Sequence, residues 1–168
     1  MILGGWQIGP IWSVTSGFPL NIMTGKDRSN TGHGYDRPNA VPSATLDLDS
    51  SHRSTDEWFN IDAVAIQPLG SYGNLGRATA HGPGIFSTDL SALKNFPFTE
   101  ALFAIPVRSL QFNFLDHPNF GDPATGLSSN QVNSAGLPIV GTGSFGVIKS
   151  TRPSIDMREL QFGLKLVF

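Results

Sequence analysis

Alternation of apolar and polar side chains is the strongest structural signal along the chain, and its two-residue period predicts β-strands. The segment 4–17 carries its large apolar residues at alternate positions: Trp6, Ile8, Pro10, Trp12 and Val14. The pair Ser16-Gly17 interrupts the pattern and predicts a turn or a bulge before the alternation resumes at Phe18, Leu20 and Ile22. No window of a dozen residues shows a helical period free of Gly and Pro, so the sequence predicts an all-β fold.

Three later segments have the same period and predict further strands. The segment 87–98 alternates through Leu90 and Ala92, and the segment 108–116 alternates through Leu110, Phe112 and Phe114. The last eleven residues place apolar side chains at every second position: Leu160, Phe162, Leu164, Leu166 and Phe168. We expect this last set on one face of a strand, with Gln161 and Lys165 on the other.

Long polar segments join these strands, at about 26–54 and 117–144, and they are rich in turn residues. Soluble β-sandwiches space their turns more evenly, whereas outer-membrane barrels combine strands of about 10 residues with long loops on one side. The sequence therefore predicts a single domain over 1–168, built of antiparallel strands that form a partial, truncated β-barrel sheet. A small soluble β-sandwich is the alternative.

Composition narrows the classes of protein that fit. Only 14% of the residues are charged, against about 25% in a typical soluble domain. The net charge of −2 gives no electrostatic case for nucleic acid. The chain has no cysteine, which excludes disulfides and thiolate chemistry. It has no apolar run long enough for a membrane helix, and residues 1–12 do not form a signal peptide, so an isolated product is expected to stay cytoplasmic.

Several longer stretches carry a family resemblance through nearly the whole chain. They are "GGWQIGPIWSVTSGFPLNI", "DRPN", "WFNIDAVA", "GSYGNLGRATAHGPGIFSTDLSALKNFPFTE", "HPNFGDP" and "SFGVIKSTRPSIDMRELQFGLKLVF". In this order they resemble the C-terminal end of TonB-dependent receptor-like outer-membrane proteins of acidobacterial type, which carry a carboxypeptidase-regulatory-like N-terminal domain. The resemblance implies the last strands of a β-barrel and a structural role in the wall of a transporter.

The resemblance also implies a location, partners and a functional signal. A C-terminal strand of alternating apolar residues is the signal read by the barrel-assembly machinery of the outer membrane. Here the signal would be formed by Leu160, Phe162, Leu164, Leu166 and Phe168. Because unpaired strand edges invite pairing between copies, the isolated chain is expected to self-associate or to need detergent.

The chain departs from the family in "TEALFAIPVRSLQFNFLDHPNF", where residues are inserted and the strand is shortened. A local change of reading frame would produce this departure. It makes the strand predicted at 110–115 and its register uncertain within the interval 101–115.

An enzymatic alternative rests on four loop histidines. Nucleophile-elbow, P-loop and H-E-x-x-H motifs are all absent. The candidate catalytic groups are histidines and the acids close to them in sequence: His33 with Asp36, His52 with Asp56, His81, and His117. His81 has no acidic neighbour in sequence, although the fold can supply one. The alternative is a small hydrolase of esters or lactones that uses a His and Asp constellation.

A calcium ion is the one cofactor that the sequence suggests, and only for this alternative. Carboxylates are frequent in the first polar segment, and they give the candidate ligands Asp27, Asp36, Asp47 and Asp49. Oxygen-rich loops of this kind bind Ca²⁺, which would polarise a carbonyl group. For the barrel-wall role no cofactor is expected.

Overall fold

The computed structural model describes residues 4–97, 104–139, 141–153 and 158–165. Within these ranges the protein is all-β, and no α-helix is present. The strands in chain order are β1 (Trp6–Thr15), β2 (Pro19–Leu20), β3 (Met23–Thr24), β4 (Asn39–Ala40), β5 (Val64–Ala65), β6 (Ala80–His81), β7 (Ile85–Pro97), β8 (Ala104–Phe112), β9 (Gly126–Leu127) and β10 (Glu159–Leu164). Short 3₁₀ turns lie at Ile61–Ala63 and Ser129–Gln131. None of the described segments forms a helix with the length and apolar character needed to cross a membrane.

Four of these strands form one antiparallel sheet in the order β1-β7-β8-β10. Strand β1 pairs with β7 from Trp6 opposite Lys94 to Thr15 opposite Ile85. Gln111 of β8 lies between Leu90 of β7 and Leu160 of β10. Over the described residues the sheet is open, with β1 and β10 at its edges. The prediction of antiparallel strands in a partial barrel sheet is therefore confirmed.

The other strands are two-residue ladders. Strands β2 and β6 pair antiparallel, as do β4 and β5, while β3 and β9 pair parallel. The stretch 18–25, which was expected to alternate as one strand, contains β2 and β3 as separate pieces with different partners. The expected alternation nevertheless holds, because Leu20, Ile22 and Thr24 are buried while Pro19, Asn21 and Gly25 are exposed.

The chain forms two compact units. The first, called the sheet unit, consists of Met1–Ser16, Gly84–Asn119 and Thr151–Phe168. The second, called the loop unit, consists of Gly17–Pro83 and Phe120–Ser150. The loop unit contains the polar segments expected at about 26–54 and nearly all of the one at 117–144. A single folding domain over the whole chain stays a prediction.

The loop unit has its own hydrophobic core. Its buried members come from segments that are far apart in sequence: Leu20, Ile22, Leu46, Phe59, Ile61, Ala63, Val64, Leu75, Ala80, Leu127 and Phe145. The rings of Phe59 and Phe145 meet edge to face, with centroids 5.2 Å apart. These long polar segments therefore fold as a packed body.

A capped 3₁₀ turn directs the central part of this core. The side-chain oxygen of Asn60 accepts the Asp62 N–H at 3.1 Å, which begins the turn at Ile61. The Asn60 side-chain NH₂ donates to the Thr45 carbonyl at 3.0 Å, and its backbone N–H donates to the Leu46 carbonyl at 2.9 Å. One asparagine thus fixes the segment that contains Phe59 and Ile61 to the segment that contains Leu46.

In the sheet unit, β8 differs from its sequence prediction. The expected strand at 110–115 begins earlier, at Ala104, and ends earlier, at Phe112. Asn113 has φ 44°, a left-handed conformation that a strand does not tolerate. Its side chain then accepts the His117 N–H at 3.2 Å and donates to the His117 carbonyl at 3.0 Å, which forms a closed turn. The strand ends at this turn.

Candidate functional site

One face of the four-stranded sheet, called the apolar face, presents large apolar side chains to the surroundings. Residues that pair across the ladders lie on the same face. The two edge strands contribute Trp6, Ile8, Pro10, Trp12, Val14, Leu160, Phe162 and Leu164. Phe162 is 76% exposed, Trp12 71% and Ile8 67%. Exposed apolar side chains in this number on one face indicate a membrane or a protein interface.

The central strands make the apolar face less uniform. Leu90, Ala92 and Val107 lie on it, but so do polar residues: Thr88, Lys94, Ser109 and Gln111. Lys94 is buried, and its ammonium nitrogen lies 4.4 Å from the centroid of the Trp6 ring. Both residues stand at the end of the sheet where β7 leads into β8. The ring attracts the cation through its π-face, and outer-membrane barrels carry girdles of aromatic residues at both membrane interfaces.

The opposite face, called the polar face, carries most of the charge of the sheet. Its polar members are Gln7, Ser13, Thr15, Ser87, Asp89, Ser91, Arg108, Glu159 and Gln161. Two apolar residues of β8 also lie here, because Leu110 pairs with Ser91 and Gln161 while Phe112 pairs with Glu159. Leu110 and Phe112 therefore lie on the face opposite that of Leu160 and Phe162, whereas Val107 of the same strand lies on the apolar face. Leu110 and Phe112 lie in the interval 101–115, for which the sequence left the strand register uncertain.

The strands of the sheet are long, and its two ends differ in the length of the connections between strands. Strand β1 has 10 residues, the length that a tilted strand needs to cross a bilayer. Residues 98–103 alone connect β7 to β8 at one end of the sheet. At the other end, the long segments 16–84 and 113–158 connect β1 to β7 and β8 to β10. Short turns at one end and long loops at the other are the arrangement of outer-membrane barrels.

The C-terminal signal falls partly within the described residues. Leu160, Phe162 and Leu164 lie on the apolar face of β10 and are exposed, as the alternation predicted. Gln161 lies on the other face, where its side chain donates to Glu159 Oε1 at 2.9 Å. Leu166 and Phe168 lie outside the described residues. The geometry agrees with the signal, whose recognition stays a prediction.

Among the candidate catalytic groups, His81 does meet a carboxylate. Its Nδ1 lies 3.5 Å from Oδ2 of Asp47, while Arg53 lies 3.7 Å from Oδ1 of the same carboxylate. The Arg53 guanidinium also stacks 5.5 Å from the Trp58 ring, and Trp58 donates its indole N–H to the His81 carbonyl at 2.8 Å. Since His81 and Asp47 are about half exposed, this cluster lies at the surface of the loop unit.

His33 and Asp36, which were expected to act together, are not bonded to each other. Oδ2 of Asp36 accepts the backbone N–H groups of Arg28 and Ser29 at 2.6 and 2.7 Å. Its Oδ1 accepts the Ser29 hydroxyl at 3.0 Å. His33 is exposed, and within the described part of the chain no ion pair connects it to Asp36. The Asp36 carboxylate thus stabilises its own loop.

The two remaining histidines have other contacts. His52 Nδ1 lies 3.2 Å from the neighbouring Ser51 Oγ, while Asp56 is exposed and lines a pocket of the loop unit. His117 belongs to the sheet unit, where its ring meets Phe86 edge to face at 5.4 Å. The four histidines are therefore not gathered around one centre by any contact of the described residues.

The candidate calcium ligands divide in the same way. Asp27 accepts the Gly32 and Thr31 N–H groups at 2.6 and 3.2 Å, and the Ser29 hydroxyl, which also bonds Asp36, at 3.1 Å. The Gly32 N–H, more than any other contact, holds the pKa of Asp27 below its ordinary value. Asp47 pairs with Arg53 and His81. Within the described ranges no group of three acidic or histidine side chains is arranged to hold a metal ion. Calcium binding stays a prediction.

The stretches that carried the family resemblance prove to be scaffold. In "DRPN", Arg37 donates to the Leu75 carbonyl at 2.8 Å, and Asn39 accepts the Asn74 N–H at 3.2 Å. Asn74 in turn accepts the Ala40 N–H at 2.7 Å. Hydrogen bonds between "DRPN" and "GNLG" therefore hold two distant loop segments together.

The "HPNF" stretch plays the corresponding part in the sheet unit. Asn119 is buried, and its side chain accepts the Phe86 N–H at 2.8 Å and donates to the His117 carbonyl at 3.3 Å. Sequence reasoning singled out His117 and missed Asn113 and Asn119, the residues that tie this turn. An asparagine on each side of a proline-containing turn was the available signal.

Comparison with known protein families identifies a family to which the chain is similar. The family model described as "Outer membrane beta-barrel domain" matches residues 1–161. No curated protein matches the chain. No solved structure matches it either.

Proposed function

The chain belongs to the outer membrane beta-barrel domain family and is an outer-membrane protein, and from this premise we propose that it forms part of the wall of a TonB-dependent receptor-like transporter. In this role β1, β7, β8 and β10 are neighbouring staves of the barrel. The apolar face contacts lipid, and the polar face lines the water-filled interior. The loop unit is the part of the wall exposed outside the cell.

The observation that carries this proposal is the exposed apolar face. Eight large apolar or proline side chains from two edge strands stand on one side of a sheet whose other side carries Asp89, Arg108 and Glu159. Burial in a hydrocarbon phase stabilises such a face, whereas water does not. The edges of β1 and β10 expose backbone N–H and C=O groups, and in lipid these groups must pair with further strands. The proposal therefore requires that this sheet is part of a larger closed wall.

The lack of cysteine offers a direct test, because any introduced thiol is then the only one. We would introduce single cysteines at Ile8 and Phe162 on the apolar face and at Gln7 and Gln161 on the polar face, and label each with bimane. In vesicles that contain nitroxide lipids, we expect strong quenching at Ile8 and Phe162 and weak quenching at the two matched positions. Equal quenching at all four positions would contradict the proposed membrane orientation.

Recognition by the barrel-assembly machinery is the second part of the proposal. The exposed residues Leu160, Phe162 and Leu164 form a regular apolar row on β10, and Leu166 and Phe168 extend it in sequence. A synthetic peptide of residues 158–168 should bind the purified assembly machinery. Phe168→Ala should weaken that binding, and the matched change Val167→Ala, at the opposite parity, should not. Equal affinities of the two variant peptides would remove the case for the signal.

A second candidate is the calcium-assisted hydrolase of esters or lactones, and one observation favours it. His81 and Asp47 lie 3.5 Å apart, a pairing that orients a histidine as a general base. If this pair is catalytic, His81→Ala should lower hydrolysis of a p-nitrophenyl ester by about 10²-fold or more, while His33→Ala should leave it unchanged. A chelator should abolish turnover, and added Ca²⁺ should restore it. Rates at background, or equal rates in both variants, would exclude this candidate.

A further inference from the structure

The loop unit contains a pocket of about 320 Å³, which lies within the size range of small-molecule sites. Two segments of the loop unit form it, at 56–61 and 131–147. Its apolar lining residues are Ile61, Pro138, Ile139, Phe145 and Val147. Asp56 and Glu57, two acidic residues adjacent in sequence, also line it. The pocket lining thus combines apolar residues with two acidic ones.

Backbone hydrogen bonds join the two segments that form the pocket. The Trp58 N–H donates to the Gly146 carbonyl at 2.9 Å, and the Ile148 N–H donates to the Thr55 carbonyl at 2.7 Å. These two bonds flank Asp56 and Glu57 in sequence. Phe145 is further held by its edge-to-face contact with Phe59. A wall fixed in this way is ready for a ligand, because little order has to be gained on binding.

The remaining wall is fixed by a turn. The Ile139 N–H donates to the Gln131 carbonyl at 2.8 Å, and the Thr142 hydroxyl donates to the Ile139 carbonyl at 2.7 Å. Gly143 has φ 98°, and a Cβ at that position would overlap the amide of Gln131. The turn at 141–143 therefore lies directly against the Gln131 side chain.

The two carboxylates have no counterion in the described structure. Neither Asp56 nor Glu57 forms an ion pair or a side-chain bond through its carboxylate with another described residue. Glu57 is half-buried, whereas Asp56 is exposed. Two adjacent negative charges beside an apolar wall attract a cation that also has an apolar group.

We propose that this pocket binds an organic ammonium compound, with its apolar body against Ile139 and Phe145 and its cationic group at Asp56 and Glu57. The assignment does not depend on the orientation of the sheet in the membrane, because every lining residue belongs to the loop unit. It gives the loop unit a ligand class of its own.

Three probes of similar size separate charge from apolar contact: phenethylammonium, 2-phenylethanol and phenylacetate. We would titrate the full chain in detergent with each probe by saturation-transfer NMR, with empty micelles as the blank. We expect phenethylammonium to bind about fivefold more tightly than the alcohol, the preference that one partly exposed ion pair provides. Phenylacetate should bind most weakly.

Three variants locate the preference. Glu57→Gln should abolish the advantage of the ammonium over the alcohol, and Asp56→Asn should reduce it. Asp62→Asn, which removes the same charge from an exposed position that does not line the pocket, should retain it. Circular dichroism would confirm that the variants are folded. Equal affinities for all three probes, a preference for phenylacetate, or an equal loss in Asp62→Asn would each overturn the proposal.

Discussion

The two units of this protein place their apolar side chains in opposite surroundings. In the loop unit the large apolar residues Ile22, Phe59 and Leu127 are almost fully buried. In the sheet unit every buried side chain among the described residues is polar, namely Ser87, Thr88, Lys94, Asn113 and Asn119, while Ile8, Trp12 and Phe162 are exposed. Large apolar residues are thus buried in the loop unit and exposed in the sheet unit.

The difference indicates the surroundings in which each unit is stable. A unit that buries its apolar residues gains stability from the removal of apolar surface from water. A unit that exposes them gains no such stability in water, and contact of its apolar face with hydrocarbon, as proposed above, would supply it. The contrast is what a barrel wall with a large extramembrane segment requires. Each of the following changes tests one side of it.

The largest effect is expected in the core of the loop unit. Phe59 is 1% exposed, so Phe59→Ala should lower the free energy of unfolding by about 3–5 kcal/mol, the usual loss for a buried aromatic ring. Tyr72→Ala is the matched control, because Tyr72 is an aromatic residue of the same unit that is 70% exposed. Calorimetric unfolding of the full chain in detergent measures both changes. A comparable loss in Tyr72→Ala would contradict the core as described.

The next effect concerns the apolar face. Phe162→Arg should destabilise the chain in vesicles by about 2–4 kcal/mol, the penalty for an arginine on the lipid side at the bilayer midplane. Gln161→Arg introduces the same charge on the polar face and should change the stability little. Urea titrations of vesicle-inserted protein give both values. If the two arginines had the same effect, the two faces would not differ in their surroundings.

The smallest effect is a pH dependence in the loop unit. The Gly32 N–H lowers the pKa of Asp27 in the folded state, so its contribution to stability is present above the ordinary aspartate value, about 4. That contribution is lost as the pH falls through the lowered value. Hydrogen-exchange protection of the Gly32 amide should therefore decrease in acid.

An amide with a backbone acceptor provides the internal control for this measurement. The Gly25 N–H donates to the Leu127 carbonyl at 3.1 Å, and no carboxylate takes part in that bond. Its protection should remain constant over the interval in which Gly32 loses protection. A parallel decrease at both amides would indicate general unfolding of the loop unit instead of titration of Asp27.

Sequence reasoning succeeded where the pattern is local. The alternation in β1 and β10 predicted the side chains that share the apolar face, because the period of a strand fixes the face of each residue. It was wrong about the extent of β8, since the left-handed Asn113 that ends this strand leaves no mark in hydrophobic periodicity. The flanking apolar residue Phe114 made the strand look longer than it is.

The loop unit could not be derived in this way. Leu46, Leu75 and Phe145 stand as isolated apolar residues in polar sequence, and only the fold brings them into one core. The same holds for His81 and Asp47, which are far apart in the chain and meet at the surface. Contacts between distant segments have no periodic signature, so the sequence predicted long polar loops here and gave no sign of their common core.

The long connection between β1 and β7 has a consequence for the kinetics of folding. These strands pair although residues 16–84 separate them, and such a long connection makes a ladder slow to form. The Gly82 N–H donates to the Phe18 carbonyl at 2.8 Å, and Pro19 pairs with His81. Phe18 and Gly82 are each three residues in sequence from the end of a strand of this ladder, so their contact shortens the chain segment that β1 and β7 have to close. We therefore expect the ladder to form faster once this contact of the loop unit is present.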